Sequence, residues 1–183
     1  MTNDNPQILL NLLLHGNQLK RTARTGWGQR GVANAESVAA HTFGMSYTAL
    51  VIAQTISPPL DMARLLAMCL LHDLPEAVTT DIPTPAWRFL PPGVKTDVER
   101  GAMREMLGDE VPELMALWEE LHGRTTAESL LVHDVDKLDM YLQAHIYEQQ
   151  TGNRQLAEFW TTPAVFYNPT CQAIYDTLRA ERG

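Results

Sequence analysis

Apolar residues along this chain recur three and four positions apart, the period of a helix, and no segment alternates persuasively enough to read as a strand. Residues from about 5 to 21 predict a first amphipathic helix ending in Leu19-Lys20-Arg21. Thr22 to Asn34, rich in Gly, Arg and Thr, predicts a loop. Glu36 or Ser37 opens a long helix whose stripe His41, Met45, Ala49, Ile52 and Ile56 faces a core, and Pro58-Pro59 ends it. Asp61 is the expected N-cap of the next helix, which carries Leu65, Cys69 and His72 on one face. Pro75 disfavours helical geometry at Leu74, so that helix stops or kinks just after His72-Asp73, and a short turn follows through Glu76. The prolines of Asp81-Ile82-Pro83-Thr84-Pro85 predict an extended or turn-like run. Further helices are expected near 94–107 and 111–122, and from about Thr126 to Gln150 with Leu131, Val135, Leu138, Leu142 and Ile146 as the buried stripe. A last helix covers Thr162 to Arg182, with Pro169 as an alternative start. No repeat or low-complexity linker interrupts the pattern, so the expectation is one all-α domain over residues 1–183.

With 45% hydrophobic residues, a chain of this length can bury a sizeable single core. A formal net charge of -8 argues against binding nucleic-acid polymers, whose phosphates need clustered Lys and Arg. A small phosphorylated ligand still fits if cations or a metal are focused in one pocket. Cys69 and Cys171 suggest no disulfide framework, and Cys69 reads as a buried thiol. The run Leu9-Leu10-Asn11-Leu12-Leu13-Leu14 is too short to cross a bilayer, and the N-terminus lacks a signal-like pattern. A cytoplasmic protein with no membrane partner is expected.

Three segments place metal-ligating side chains on core-seeking faces. His41 sits within the apolar stripe of its helix, and His72-Asp73 ends the run Leu65-Leu66-Ala67-Met68-Cys69-Leu70-Leu71. Asp136 lies beside the apolar face of the long later helix. Singly, a core histidine is more often just hydrogen-bonded, and a helix aspartate is usually solvated. Together they are different, because burying unpaired carboxylates costs several kcal/mol. With no nearby Lys or Arg in these segments, two imidazoles and two carboxylates call for another cation. Two nitrogen and two oxygen ligands suit one divalent transition metal, Mn, Co, Fe, Ni or Zn.

This His…His-Asp…Asp pattern on helices resembles the HD-domain metal-dependent phosphohydrolases. The blocks Leu-Lys-Arg-Thr-Ala-Arg-Thr-Gly-Trp (19–27), Glu-Ser-Val-Ala-Ala-His (36–41), His-Asp-Leu-Pro-Glu-Ala-Val-Thr-Thr-Asp-Ile-Pro-Thr-Pro (72–85) and Leu-Val-His-Asp-Val-Asp-Lys-Leu-Asp-Met (131–140) narrow it. They resemble the bacterial 5′-deoxynucleotidase branch (YfbR-like) and its eukaryotic relatives, over roughly residues 10 to 160. The His-Asp pair alone is weakly specific, whereas four blocks in this order are strongly so.

The resemblance implies a helical HD-domain bundle that hydrolyses deoxyribonucleoside 5′-monophosphates and forms a homodimer. Among Asp134, Asp136 and Asp139, it selects Asp136 as the closing ligand and leaves the other two to solvent or neighbouring cations. No histidine stands between Asp73 and His122, which favours one metal per chain over two; His122, His133 and His145 read as surface or supporting residues. Glu76, one helical turn beyond His72, is the candidate proton handler. Asp81 is placed in the catalytic pocket, and Asp81, Ile82, Pro83 and Thr84 form the substrate loop that leaves no room for a 2′-hydroxyl. Trp27 matches a substrate-contacting tryptophan. The bacterial branch has Arg immediately before this Trp, where this chain has Gly26, so Arg24 or Arg30 is expected to orient the phosphate. Two enzyme alternatives remain beside this reading. One is hydrolysis of nucleoside triphosphates or other phosphoesters. The other is a di-iron oxygenase, which needs extra histidines absent here. A non-catalytic metal- or ligand-binding module is the third alternative.

Overall fold

Local signals set most of the helix starts. In a computed structural model, described for residues 5–83, 86, 89–108 and 110–182, Asn5 caps α1 (Pro6–Gln18) and Ser37 caps α3 (Val38–Ala53). Asp61 accepts from the backbone of Ala63 and Arg64 to open α4 (Met62–Leu71). Thr126 and Ser129 form a reciprocal capping box at the start of α8 (Ala127–Thr151). Between these lie two one-turn helices, α2 (Thr25–Gly28) and α5 (Glu76–Thr79), then α6 (Val94–Leu107) and α7 (Pro112–Gly123). A 3-10 segment (Arg154–Trp160) and α9 (Pro169–Arg182) complete the chain. No strand forms among the described residues; one isolated bridge joins Ala23 to Ser37. The fold is all-α, as the periodicity predicts.

At 25 residues, α8 spans about 37 Å at 1.5 Å per residue and acts as the central post. It packs against α3, α4, α7, α9 and the 3-10 segment, while α3 and α4 also pack on each other. The main core lies among these elements, built on Met45, Leu65, Met68, Val135, Leu138 and Tyr175. A smaller cluster of Leu71, Met103, Met106, Leu107 and Trp118 fills the space between α4, α6 and α7. No helix among the described residues is long and apolar enough to cross a membrane.

Several expectations shift. The first helix stops at Gln18, and of its leucines Leu12 packs inward while Leu9, Leu10, Leu13 and Leu14 are exposed. A one-turn helix, α2, forms inside the expected Thr22 to Asn34 loop. On α8 the expected stripe holds through Leu138 but not to its end: Leu142 is half-buried and Ile146 exposed, and Tyr141, Ala144 and Tyr147 are buried instead. The reason is that the 3-10 segment and α9 cover that side of the helix. The last helix starts at Pro169 rather than Thr162. Asn168 accepts from the N–H groups of Thr170 and Cys171, and a proline at the first helical position is pre-set for entry.

Candidate active site

Helices α3, α4 and α8 meet where their inward faces carry His41, His72-Asp73 and Asp136. His41 Nε2 lies 3.1 Å from Asp136 Oδ1 and 3.9 Å from Asp73 Oδ2. His72 Nε2 lies 3.0 Å from Asp73 Oδ2, and one ligand atom each of His41, His72 and Asp73 falls within 4.8 Å of the others. The set chosen from sequence therefore converges.

The other ring nitrogens are held from behind. His72 Nδ1 donates to the Cys69 carbonyl at 2.7 Å, which turns Nε2 toward the site. That Nε2 is buried and makes no hydrogen bond, although a carboxylate oxygen stands beside it. An imidazole nitrogen and a carboxylate oxygen 3.0 Å apart in a buried site suit a shared cation, so the donor set fits a divalent metal. His41 Nδ1 bonds Asp139 Oδ2 at 2.7 Å, a carboxylate–imidazole support of the kind that orients metal-ligating histidines. Burial alone would lower the His41 pKa, but the carboxylates of Asp136 and Asp139 outweigh it and push it up to about 10. The proton on His41 thus occupies the place a metal ion would take.

Charge elsewhere in the site is strongly unbalanced. Burial opposes ionisation of Asp73, yet His72 and then Arg24 hold its carboxyl well below the usual range. Arg24 Nη1 donates to Asp73 Oδ2 at 3.1 Å. The ligand-bearing segments supply no such cation themselves; it arrives from α2's N-cap, far away in sequence. Burial, then the negative charges of Asp73 and Asp81, push Glu76 up to about 9, so its carboxyl keeps a proton at neutral pH. Its Oε2 is buried without a hydrogen-bond partner.

Above the ligands opens a cavity of about 570 Å³ lined by Arg24, Trp27, Arg30, Asp73, Glu76, Asp81, Ile82, Pro83 and Asp136. Thr84 lies outside the described residues. Asp81 accepts from the Thr25 N–H at 2.6 Å and from its hydroxyl at 3.2 Å, which ties the 81–83 segment to α2. Trp27 is 2% exposed and belongs to the core, against Tyr147 and Phe159, with its indole N–H donated to Glu36. It is thus a buried wall of the cavity rather than an open stacking face. Arg30 bonds Glu158 and the Gly26 carbonyl, and its Nη1 lies 3.9 Å from where a Cβ on Gly26 would stand. A guanidinium is therefore present beside position 26 although that residue has no side chain.

Asp139 and Asp134 were both assigned to solvent or nearby cations; neither is there. Asp139 is buried behind His41, and Asp134 is fully buried, accepting the N–H groups of Tyr167 and Asn168. Lys95, Arg124 and Lys137 also line the cavity without a signal having marked them, as does His133, which reads from sequence as a surface or supporting residue. For His133 a signal was present, since it stands one helical turn before Asp136 on α8, and Lys137 stands one turn after His133. For Asp139 the signal was Gly44, one turn after His41. A Cβ at Gly44 would collide with the Asp139 carboxylate. Gly44→Ala is accordingly expected to push Asp139 off His41 and to weaken metal affinity by about 10- to 100-fold, the usual loss when such a support is removed. Calorimetric metal titration checks this; unchanged affinity with the fold intact would show that Asp139 does not orient His41.

A model of the HD domain family matches residues 16–174. The chain belongs to this family. Within it, the chain is 37% identical to the 5′-deoxynucleotidase HDDC2 of Danio rerio over 171 residues, covering 90% of this chain and 83% of that protein. It is 34% identical to the 5′-deoxynucleotidase HDDC2 of Homo sapiens, covering 95% and 86%. Among solved structures, the PH0347 protein of Pyrococcus horikoshii OT3 superposes with a TM-score of 0.81 at 32% identity, covering 93% of this chain and 98% of that one. The HD signature and the His41, His72-Asp73 and Asp136 convergence thus fall in the same stretch of chain.

Proposed function

We propose that this HD-domain protein is a metal-dependent 5′-deoxynucleotidase, which splits deoxyribonucleoside 5′-monophosphates into deoxynucleosides and phosphate. The observation that carries the reading is the buried Nε2 of His72, 3.0 Å from Asp73 at the floor of a cavity that Glu76 also lines. Relatives named 5′-deoxynucleotidase, aligned over most of both chains, support the substrate class.

His41, His72, Asp73 and Asp136 would hold one divalent ion, with Mn, Co, Fe, Ni and Zn all suited to two imidazoles and two carboxylates. Such an ion lowers the pKa of a water and polarises a phosphoryl oxygen. The remaining work belongs to the chain. Glu76, buried beside Asp73 and Asp81, is the group placed to pass a proton to the departing 5′-oxygen. Arg24 balances Asp73, and a guanidinium fork suits a phosphate oxygen pair. Asp81, anchored on Thr25, holds Ile82 and Pro83 against the sugar, where a closed apolar wall leaves a 2′-hydroxyl without a hydrogen-bond partner.

The test is phosphate release from deoxy and ribo 5′-monophosphates by metal-stripped protein resupplied with Mn, Co, Zn or Mg. Turnover of the deoxy forms is expected. Pyrophosphate or triphosphate released from nucleoside triphosphates would replace the monophosphatase reading. A homodimer is part of the same proposal, since Phe43, Tyr47, Leu50 and Val51 leave an apolar face on α3 open to a second copy. Sedimentation at the mass of one chain would reject it.

A further inference from the structure

Arg124 follows α7 in a left-handed backbone conformation, φ 52° and ψ 40°, which glycine adopts freely and other residues resist. Among the described residues only Thr80 shares a positive φ without being glycine, and it adjoins the cavity residue Asp81. A strained residue next to a site invites a functional explanation. The Arg124 side chain lines the cavity. Of the other cations there, Arg24 has Asp73, Arg30 has Glu158 and Lys95 has Glu99, while Lys137 is committed to the Val165 carbonyl at 2.7 Å. No carboxylate pairs with Arg124 among the described residues; its Nε donates instead to His133 Nε2 at 3.1 Å.

That contact fixes its place. His133 lies three residues before Asp136 on α8, so the Arg124 guanidinium sits one hydrogen bond beyond a residue about one helical turn from a candidate metal ligand. Burial and the adjacent Arg124 hold the His133 pKa below its ordinary value, so the ring is neutral and offers Nε2 as acceptor. The proton is then on Nδ1, and the 3.1 Å approach of Nε2 to the Leu121 carbonyl is a contact rather than a hydrogen bond. With Nε committed, the Nη1–Nη2 edge carries no hydrogen bond among the described residues and retains two donors for a pair of phosphate oxygens.

We propose that Arg124 binds the phosphoryl group of the substrate in this cavity and that His133 positions its guanidinium. The inference rests on the phosphohydrolase reading above. Arg124→Gly separates function from structure, because glycine relieves the left-handed backbone. It should keep or raise the melting temperature and leave metal binding unchanged. It should also raise KM for a deoxyribonucleoside 5′-monophosphate, and the inhibition constant of inorganic phosphate, by about 10- to 100-fold, the usual worth of a charged hydrogen-bond pair. Arg124→Lys should fall between. His133→Phe should raise KM more than it lowers kcat, and His133→Gln, which keeps an acceptor, should recover part of the loss. KM and phosphate inhibition within about twofold of wild type in Arg124→Gly would overturn the proposal. If the wild-type protein released no phosphate from any monophosphate, the nucleotidase reading would fail by itself. Calorimetry of inorganic phosphate on metal-loaded wild type and Arg124→Gly would then decide this one, with equal affinities overturning it and weaker binding by the variant sustaining it.

Discussion

Asp136→Ala is expected to abolish tight metal binding and to cut kcat/KM by roughly 10³-fold, the equivalent of several kcal/mol of metal-derived stabilisation. Asp136 lies 3.1 Å from His41 Nε2, nearer than Asp73 at 3.9 Å, and comes from α8 rather than from the end of α4. Without it the site would lose one of its two carboxylate ligands. Its carboxyl is held down to about 2 because His41, by hydrogen bond and by charge, outweighs the opposing effect of burial. At neutral pH it therefore presents a full negative charge. Two measurements check the expectation together. Wild-type protein should melt higher when metal is added, by about 2.7 kcal/mol of stability at a hundredfold excess over Kd, and the variant should show little such gain. Wild-type metal uptake should also release protons and tighten with rising pH, because the ion displaces the proton that His41 holds up to about pH 10. An Asp136→Ala protein that binds metal as tightly as wild type would remove Asp136 from the ligand set.

Glu76→Gln is expected to lower kcat by about 10²- to 10⁴-fold, the range for loss of a positioned proton donor, while leaving the fold intact. The amide has the shape of the protonated acid but no proton to give. Stability supplies an independent readout with a definite sign. Glu76 rises from an ordinary value of 4.5 to about 9, through burial first and then the charges of Asp73 and Asp81. A raised acid binds its proton more tightly when folded. Its contribution is fully present below pH 4.5 and is lost as pH rises through 9. Glutamine does not titrate, so the variant should gain on wild type as pH climbs from 6 to 9. Adding metal should narrow that gap, since a nearby cation favours the ionised glutamate. Parallel melting curves for the two proteins across this pH range would show that Glu76 is not buried as a neutral acid.

The helical architecture was legible because each helix carries its own evidence. Asp61 and Thr126 open helices from their own side chains, and the stripe His41, Met45, Ala49, Ile52 needs only a 3.6-residue period to face inward. Such reasoning fails where a helix has more than one neighbour. Ile146 fits the expected stripe of α8 and is exposed, whereas Tyr147 is buried, because the 3-10 segment packs on the other side. The Thr162 start of the last helix fails for a similar reason. The segment before Pro169 gives its Tyr167 and Asn168 N–H groups to Asp134, a residue more than thirty positions away.

By itself the sequence determined the helical class and the start of the Asp61 helix, and it singled out His41, His72, Asp73 and Asp136 as candidate ligands. The first two are properties of residue type and short-range spacing; imidazoles and carboxylates on core-seeking faces stand out because burying them is costly unless they share a cation, and family resemblance chose Asp136 among three aspartates. Only the tertiary structure decided what stands behind and around them: Asp139 on His41, Arg24 on Asp73, Arg124 on His133, and a Glu76 that keeps its proton. These depend on distances between elements far apart in the chain. An electrostatic interaction falls with separation and is strengthened by exclusion of water, and neither quantity exists until the helices have packed.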